Sequence, residues 1–454
     1  MKGGVIIPNI NFITSLLNIT PEDVSKCTVK TLDDTVFYSI TLKRKNITCP
    51  LCGGKMIGHG HKQKQIHHPI LRNQKCVILY NANRYICKSC KKTALEKNPF
   101  AMSGYNSSYL LMQSAMKYLS NLNYTLNMIS DELNISTTQL CKYLDSYVVI
   151  PPRKLPESLG IDEIYNKYLS KKNSSYLCVL VDNVNRNLFD ILDSRSKEYL
   201  SLYFSKFPRE ERLKVKYVTI DMWTSYKDVV NTYLPNAIVA VDPFHVIWHL
   251  SKAFDRLRLD IMNQCEYGSN AYYLLKKWNW LLVKDNLILD NERVYNHRFN
   301  TKLNHRDIMK MIFDTFPVLA YAYELKEEYR HFNSNCSYDE ACDRYDSIYI
   351  KFKNSGISQF DEFVGILSHW KEEILNSFKR PFNDRKLSNA FSENINHRIR
   401  TYLTVSNGVT NFPRFRKRVM YALSPDIFYA LKSTLTSDKR PGKKRGRYNT
   451  SQFE

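Results

Sequence analysis

The sequence predicts a multidomain α+β protein, and three observations lead to this expectation. With 454 residues, the chain is too long for one ordinary domain. Two Cys-x-x-Cys pairs lie in a turn-rich segment near the start, and a proline-rich stretch at 151–156 precedes alternating strand and helix patterns. A helical pattern then fills most of residues 246–385. This order indicates a small metal-binding domain, a helical segment and a larger α/β domain.

The charge distribution points to a polyanionic partner. The net charge is +22, and residues 41–97 hold thirteen basic side chains against one acid, a net +12. Residues 398–454 add thirteen basic side chains against three acids, a net +10, whereas residues 98–397 are nearly neutral. Basic segments of this kind are typical of nucleic-acid binding. No apolar run reaches the ~18 residues that span a membrane, so we expect no membrane role.

The cysteine pairs predict a structural zinc site. Each Cys-x-x-Cys turn aims two thiolates at one point, and two such turns complete a tetrahedron around Zn²⁺. Cys76 and the histidines at 59, 61, 67 and 68 are alternative ligands, and a redox or free-thiol pair is the alternative function. The paired motifs and their glycines favour zinc, and with eleven cysteines in all they favour a reducing compartment. The predicted ligands are Cys49, Cys52, Cys87 and Cys90.

Residues 124–148 have the pattern of a helix-turn-helix. Apolar residues at helical spacing mark a first helix, and Ser136 with Gln139 predicts the start of a second one by a capping box. The second helix would lie in the major groove of DNA. An ordinary helical hairpin is the alternative, and the basic zinc segment beside it favours DNA binding. The residues expected near base edges are Thr137, Thr138, Gln139 and Lys142.

Five strand patterns follow the prolines, at 158–165, 175–184, 188–192, 215–221 and 237–242, with a helix at 224–233 between the last two. Asp162 and Asp221 lie on or at the end of such strands, and Glu393 lies in a helical pattern. Two strand aspartates and a helix glutamate are the arrangement that holds two Mg²⁺ (or Mn²⁺) ions in a ribonuclease H-like fold. Taken singly, each acid is more typical of a solvated turn than of a metal site.

These motifs together resemble the DDE transposases of a bacterial insertion-sequence family called ISL-three (ISL3). The resemblance runs from about Cys49 to Arg418. It rests on the cysteine pairs and on these stretches: Ile161-Asp162-Glu163, Asp221-Met222-x-x-x-Tyr226, Val241-Asp242-x-Phe244-His245-Val246, Ser388-Asn389-x-x-x-Glu393-x-x-Asn396 and Asn411-Phe412-x-x-Phe415-Arg416-x-Arg418.

The resemblance implies a DNA transposase that binds the terminal inverted repeats of its element and then cuts and joins DNA. By it, Asp162, Asp221 and Glu393 bind the catalytic metal ions, and a helical insertion accounts for the long interval between the last two acids. Asp242 and His245 are further candidates for the catalytic pocket, with helix capping and packing as the alternative. Trp223, Trp248 and Trp370 are expected in the core, with base stacking as the alternative.

The closing basic motif adds Arg414, Arg416 and Arg418 as expected DNA-binding residues. Double-stranded DNA, both element ends and target, is the expected partner. Two ends need two active sites, so we expect a homodimer or larger assembly, in the bacterial cytoplasm at the nucleoid. A non-catalytic DNA-binding regulator derived from a transposase is the alternative function. An RNA-processing nuclease on the same fold is a third hypothesis.

The expected segments follow from these assignments. They are an N-terminal leader with one strand at 1–45, a zinc-binding domain of short strands at 46–100, a helix-turn-helix domain at 101–150, the first part of the ribonuclease H-like catalytic domain at 151–249, a helical insertion at 250–385, the last part of the catalytic domain at 386–431 and a basic disordered tail at 432–454.

Overall fold

The computed structural model describes residues 19–71, 74–102, 105–170, 175–284, 289 and 291–430. It shows a mixed α+β chain that divides into two compact units. The first unit comprises Met1–Pro152 and Arg398–Glu454, and the second comprises Arg153–His397. The predicted tail at 432–454 and the first 18 residues of the predicted leader lie outside the described residues.

Within the described ranges, the strands form two larger sheets and two short pairs. In chain order they are β1 (Val24–Leu32), β2 (Thr35–Leu42), β3 (Met56–Leu71), β4 (Gln74–Cys87), β5 (Thr93–Leu95), β6 (Val148–Val149), β7 (Ser158–Tyr165), β8 (Tyr176–Asp182), β9 (Asn187–Leu192), β10 (Tyr217–Ile220), β11 (Ile238–Val241), β12 (Val294–Asn296), β13 (Thr301–Leu303) and β14 (Phe428–Tyr429).

The helices dominate the second half of the chain. They are α1 (Tyr109–Leu119), α2 (Leu126–Leu133), α3 (Thr137–Tyr147), α4 (Lys197–Ser205), α5 (Arg209–Arg212), α6 (Thr224–Tyr233), α7 (Pro243–Gln264), α8 (Asn270–Lys277), α9 (Asn279–Val283), α10 (His305–Thr315), α11 (Pro317–Asn335), α12 (Tyr338–Lys353), α13 (Asp361–His369), α14 (Lys371–Asn376), α15 (Ala390–Ser406) and α16 (Phe412–Leu423), with short 3-10 turns at Pro21–Asp23 and Ser358–Phe360.

The first unit contains a five-stranded sheet in the order β1-β2-β4-β3, with β5 paired to β4. Strands β3 and β4 are 16 and 14 residues long and form one antiparallel hairpin. The sequence predicts short strands here and a leader with one strand. Instead β1 and β2 form a hairpin, and β2 pairs in parallel with β4. The pattern of β3 misleads because most of this strand is polar and exposed, so apolar alternation marks it weakly.

Helices α2 and α3 are joined by a three-residue turn in the first unit. Asn134 adopts a left-handed conformation (φ 51°) that ends α2, as Asn tolerates better than most residues. The Ser136 side chain then accepts a hydrogen bond from the Gln139 backbone N–H and starts α3. The helices expected from the sequence therefore form, and the cap that starts the second one is present.

The second unit is built on a five-stranded sheet in the order β11-β10-β7-β8-β9. Strands β7, β8 and β9 are antiparallel neighbours, whereas β10 and β11 run parallel to β7. Parallel neighbours need a crossover connection, and α6 connects β10 to β11. The five strands predicted between 158 and 242 are all present. The predicted insertion is mostly helical but includes the small β12–β13 hairpin.

A single apolar core holds the second unit together. It joins side chains from the sheet, such as Leu180 and Val218, to residues of the later helices, such as Phe254 and Phe352. Trp370 is buried and Trp223 packs against this core, as expected. Trp248 is 47% exposed, contrary to expectation. In the part of the chain that the structure describes, no helix is both long and apolar enough to cross a membrane.

His68 is a buried histidine of the first unit. Its ring is buried on β3, and its Nδ1 lies 3.0 Å from the Oγ of Ser108. That hydroxyl oxygen already accepts from the Leu111 N–H, so its proton is available to a neutral imidazole. Burial lowers the pKa of His68 to about 4. The unfolded chain therefore takes up a proton near pH 6.5 that the folded chain resists.

We predict that this histidine removes stability as pH falls from 6.5 to 4, by up to about 3 kcal/mol, and contributes its full stability above 6.5. The measurement compares the denaturation midpoints of wild type and His68→Gln between pH 4 and 8. The difference between them should widen in favour of His68→Gln as pH falls. His61→Gln, an exposed position on the same strand, is the control. Parallel profiles for wild type and His68→Gln would contradict the prediction.

Candidate active site and metal-binding cluster

Three aspartates lie side by side across the parallel strands of the second unit. Thr219 of β10 pairs with Gly160 of β7, and Ile220 pairs with Val241 of β11. Extending both registers by one or two residues places three acids next to one another on adjacent strands, because parallel strands rise by the same distance per residue. These acids are Asp162, Asp221 and Asp242.

Two of these carboxyl groups are buried. Asp162 is 8% and Asp242 is 5% exposed. Burial, and next the charge of Asp221, raise the pKa of Asp162 to about 7. Burial also raises the pKa of Asp242. Three carboxylates at one edge of a sheet repel one another in a poorly solvated place, so the arrangement favours a cation as its partner.

His245 supplies one positive charge to this group. It lies in the first turn of α7, and its Nε2 is 2.9 Å from the Oδ1 of Asp221. Burial alone would lower the pKa of His245, but the bond to Asp221 and the charges of all three aspartates outweigh it and raise the pKa to about 9. The ring is therefore an imidazolium at neutral pH and orients the Asp221 carboxylate.

Asn389 fastens the start of α15 to these strands. Its backbone N–H donates to Asp242 Oδ1 at 3.0 Å, and its side-chain amide donates to the Ile161 carbonyl at 3.0 Å. Its amide oxygen accepts from the Thr219 hydroxyl at 2.5 Å. This one residue, 1% exposed, therefore contacts all three parallel strands or their ends. The sequence motif contained Asn389 without indicating this role.

Glu393 lies in the first turn of α15, four residues after Asn389, and is exposed. Burial chiefly raises the pKa of Asp242, and the charge of Glu393 adds to this rise, so Glu393 lies near enough to interact with that aspartate. The ligand atoms of Asp162, Asp221 and Glu393 do not all come within 4.8 Å of one another, whereas the four cysteines described below do so. The structure thus brings the predicted acids to one edge of the sheet without closing them into a tight cluster.

The strand that carries Asp162 is held close to α15. A side chain at Gly160 would place its Cβ 2.6 Å from Val181 Cγ2 and 3.0 Å from Ser392 Oγ, so only glycine fits there. On the other face, Glu163 pairs with Arg195, whose guanidinium lies 4.5 Å from the Trp223 ring centroid. No sequence pattern indicates this support of the strand, because Arg195 lies outside every motif.

The four predicted zinc ligands form a compact cluster in the first unit. The Sγ of Cys52 is 3.5 Å from that of Cys87 and 3.4 Å from that of Cys90, and Cys49 and Cys90 are 3.5 Å apart. A tetrahedron with metal–sulfur bonds of ~2.3 Å has sulfurs about 3.8 Å apart. Backbone N–H groups of each turn lower the pKa of Cys49 and of Cys87. At Cys90 the N–H of Lys92 also lowers the pKa, but the neighbouring sulfurs outweigh it and raise the pKa to about 12, a repulsion among thiolates that a cation would relieve. The cluster therefore fits a metal ion.

The alternative ligands lie elsewhere. Cys76 is buried opposite His68 in the β3–β4 hairpin, and burial raises the pKa of its thiol to about 12. His68 contacts Ser108. Neither of them, nor His59, His61 or His67, belongs to the cysteine cluster. Among the described residues, only the four cysteines of the two turns form a group with ligand atoms this close.

The predicted DNA-binding residues differ in exposure. Thr138 and Lys142 are exposed on α3, whereas Thr137 and Gln139 are half-buried. Arg414 forms a two-pronged ion pair with Asp145. The roles of these five residues stay predictions. Their neighbourhood includes a cavity of about 460 Å³ lined in part by α2, α3 and α16.

Two arginines of the closing motif are less accessible than expected. Arg416 is half-buried on α16. Arg418 is 1% exposed, and its guanidinium donates to the carbonyl oxygens of Asn121 and Tyr124. In this structure Arg418 stabilises the packing of α16 and does not face solvent, so a phosphate could reach it only after a rearrangement. A basic motif alone does not distinguish such a structural arginine from a DNA contact.

Comparisons with known proteins point the same way as the motifs. Residues 159–419 match the model of a family described as "Transposase", the DDE family of ISL3 elements. The transposase for insertion sequence element IS1001 of Bordetella parapertussis is 24% identical over 358 residues, which cover 76% of this chain and 82% of that protein. The transposase for IS1557 of Mycobacterium tuberculosis is 33% identical over 97 residues, 21% of each chain.

We predict that the purified chain holds about one zinc ion at the cysteine cluster, since four thiolates complete a closed tetrahedral site. Metal analysis of the full chain should show this zinc lost in Cys49→Ser with Cys52→Ser. Cys76→Ala, which removes the alternative thiol, should keep it. Retention of zinc in the double variant, or its loss in Cys76→Ala, would contradict the assignment.

Proposed function

The chain belongs to the ISL3 family of transposases, and on that basis we propose how it acts on DNA. It binds the terminal inverted repeats of its insertion sequence, cuts the DNA strands there and joins the freed ends to a target. The metal ions that support this chemistry are held by Asp162, Asp221 and Glu393. The chain thus acts as a DDE transposase with two divalent cations, Mg²⁺ or Mn²⁺.

The fold we propose for the second unit is ribonuclease H-like. Its support is the sheet of three antiparallel strands followed by two parallel strands, in the order β11-β10-β7-β8-β9. The central strand β7 carries Asp162 within it, and the neighbouring strand β10 ends next to Asp221. Residues 243–389 then separate the sheet from the helix that carries Glu393, which is where the helical insertion lies.

The proposal is supported above all by the position of three acids on adjacent parallel strands, Asp162, Asp221 and Asp242. Glu393 lies near enough to interact with the last of them. Carboxylate oxygens are the ligands that Mg²⁺ prefers. Burial disfavours the charged form of Asp162, and a bound cation would stabilise that form. When bound, two such ions activate the attacking oxygen and stabilise the leaving oxygen of an in-line displacement at phosphorus. The donor set therefore fits the implied metal ions.

Other residues of this group orient the ligands. The His245 Nε2–H donates to Asp221 and fixes the direction of that carboxylate. Asp242 accepts a hydrogen bond from the backbone N–H of Asn389. This bond positions the start of α15, the helix that carries Glu393. We therefore assign Asp242 and His245 to positioning, and the metal ligands remain the two other aspartates and the glutamate. The sequence alone did not distinguish a metal ligand from a positioning residue at Asp242 and His245, and this assignment makes that distinction.

The first unit supplies the DNA-binding parts in this proposal. Zn²⁺ at the four cysteines stabilises a segment whose exposed lysines and arginines neutralise phosphates. Helix α3 presents Thr138 and Lys142 to base edges. Because two element ends are joined in one reaction, two copies of the chain act together as a homodimer or a larger assembly.

We predict that Asp162→Asn abolishes Mg²⁺-dependent cutting of element-end DNA while DNA binding persists. Losing a metal ligand removes several kcal/mol of transition-state stabilisation, which is about a hundredfold or more in rate. The substrate is DNA carrying the sequences that flank the gene, and cleavage and gel-shift binding are measured together. Asp228→Asn, an exposed acid of the same unit paired with Lys197, is the matched control and should cut normally.

The outcome also separates the alternatives. If wild type and Asp162→Asn both bind DNA and neither cuts it, the chain is a non-catalytic regulator. If wild type cuts RNA in preference to DNA, it is an RNA-processing nuclease. Equal cutting by wild type and Asp162→Asn would contradict the assignment of Asp162 as a metal ligand.

A further inference from the structure

A second cavity of the second unit lies at the amino-terminal end of β7. Its volume is about 300 Å³, near the lower limit of small-molecule sites. Asp162 follows Ser158 by four residues on the same strand, which corresponds to about 13 Å. The Ser158 end of the cavity therefore lies away from Asp162, and none of the three proposed metal ligands lines the cavity. Its lining includes Ser158, Asn183, Arg186, Phe382, Arg385 and Phe391.

The cavity is positively charged. Arg186, Arg385 and Lys386 line it, and no Asp or Glu lies among its described lining residues. Lys386 donates to the Asn333 carbonyl oxygen, so its ammonium is already engaged. Arg186 and Arg385 are exposed at the opening. Two guanidinium groups without an acid between them favour an anion, and above all a phosphate.

The floor of the cavity offers unpaired polar groups. Ser158 is 0% exposed, and its Oγ has no hydrogen-bond partner among the described residues. The Oδ1 of Asn183 is likewise unpaired there, although its Nδ2 donates to Thr219. A buried polar group without a partner costs about 1–3 kcal/mol. These atoms therefore favour an occupant that forms hydrogen bonds with them.

The start of α15 adds to the preference for an anion. Ala390, the first residue of this 17-residue helix, lines the cavity. The first N–H groups of a helix have no intrahelical acceptor, and the helix dipole places positive charge there. Phosphates bind at such termini.

Two aromatic rings suggest the rest of the ligand. The Arg186 guanidinium lies 5.7 Å from the Phe391 ring centroid. Phe382 packs edge-on against Tyr217, with ring centroids 5.6 Å apart. Aromatic side chains in a basic groove are typical of single-stranded nucleic-acid sites, where bases stack on the rings. A nucleotide combines the phosphate that the arginines favour with a base for the rings.

We propose that this cavity binds one nucleotide of a DNA single strand, with its phosphate at Arg186 and Arg385 and its base against Phe391. The proposal rests on the transposase function in one respect: we take the single strand to be part of the substrate DNA near the cut. It adds a nucleotide-binding site in the second unit, outside the metal ligands and outside the DNA-binding residues of the first unit.

The test measures binding of a fluorescent ten-nucleotide single strand to the full chain by anisotropy, across a range of salt concentrations. Arg186→Ala with Arg385→Ala should weaken binding about tenfold, and the salt slope should become shallower by about 0.7, since one phosphate contact is lost and each contributes about 0.7 on single strands. Lys310→Ala with Lys353→Ala removes two exposed charges elsewhere in the unit and should change neither value appreciably.

A second arm tests the base. Phe391→Leu should weaken binding of the normal strand about tenfold but leave binding of an abasic strand unchanged, since stacking alone is lost. Equal affinity and slope for the arginine and lysine pairs would overturn the proposal. So would equal effects of Phe391→Leu on both strands, which would mean an anion site only. None of these measurements requires cutting, so they remain decisive if the Mg²⁺-dependent cleavage fails.

Discussion

The hydrogen bonds of Asn389 are the constraint on which the candidate active site depends. They join Asn389 to Asp242, Thr219 and Ile161, which precede it in the chain by 147, 170 and 228 residues. Each bond is buried, where losing a partner leaves an unpaired polar group at a cost of about 1–3 kcal/mol. Because Glu393 follows Asn389 by one helical turn, the same bonds determine where that carboxylate lies relative to the strands.

This arrangement explains how a long insertion is tolerated between Asp221 and Glu393, the acids that we propose act together. The helices between Asp242 and Asn389 pack in the same apolar core as the sheet, so the chain returns to the strands at a defined place. The glycine at 160 lets α15 approach β7 closely. The charges work in the same direction, since the positive charge of His245 compensates part of the repulsion among the aspartates.

Much of this organisation could be predicted from the sequence, and the failures have physical causes. The strands near 158–242 were evident because they are buried apolar runs bounded by turns, and the cysteine turns because metal geometry fixes their spacing. The hairpin β1–β2 and the length of β3 were missed, since exposed polar strands show little alternation. Arg418 was expected at DNA but lies in the packing of α16. Likewise Asn389 and Arg195 act through contacts distant in sequence, which no local pattern reveals.

The most direct measurement is a crystal structure of the chain with Mn²⁺, with the metal ions located by their anomalous scattering. We expect Mn²⁺ to be held by Asp162, Asp221 and Glu393, with Asp242 still bonded to the N–H of Asn389. Mn²⁺ absent from these carboxylates, or held by Asp242 in place of Glu393, would contradict the proposed roles.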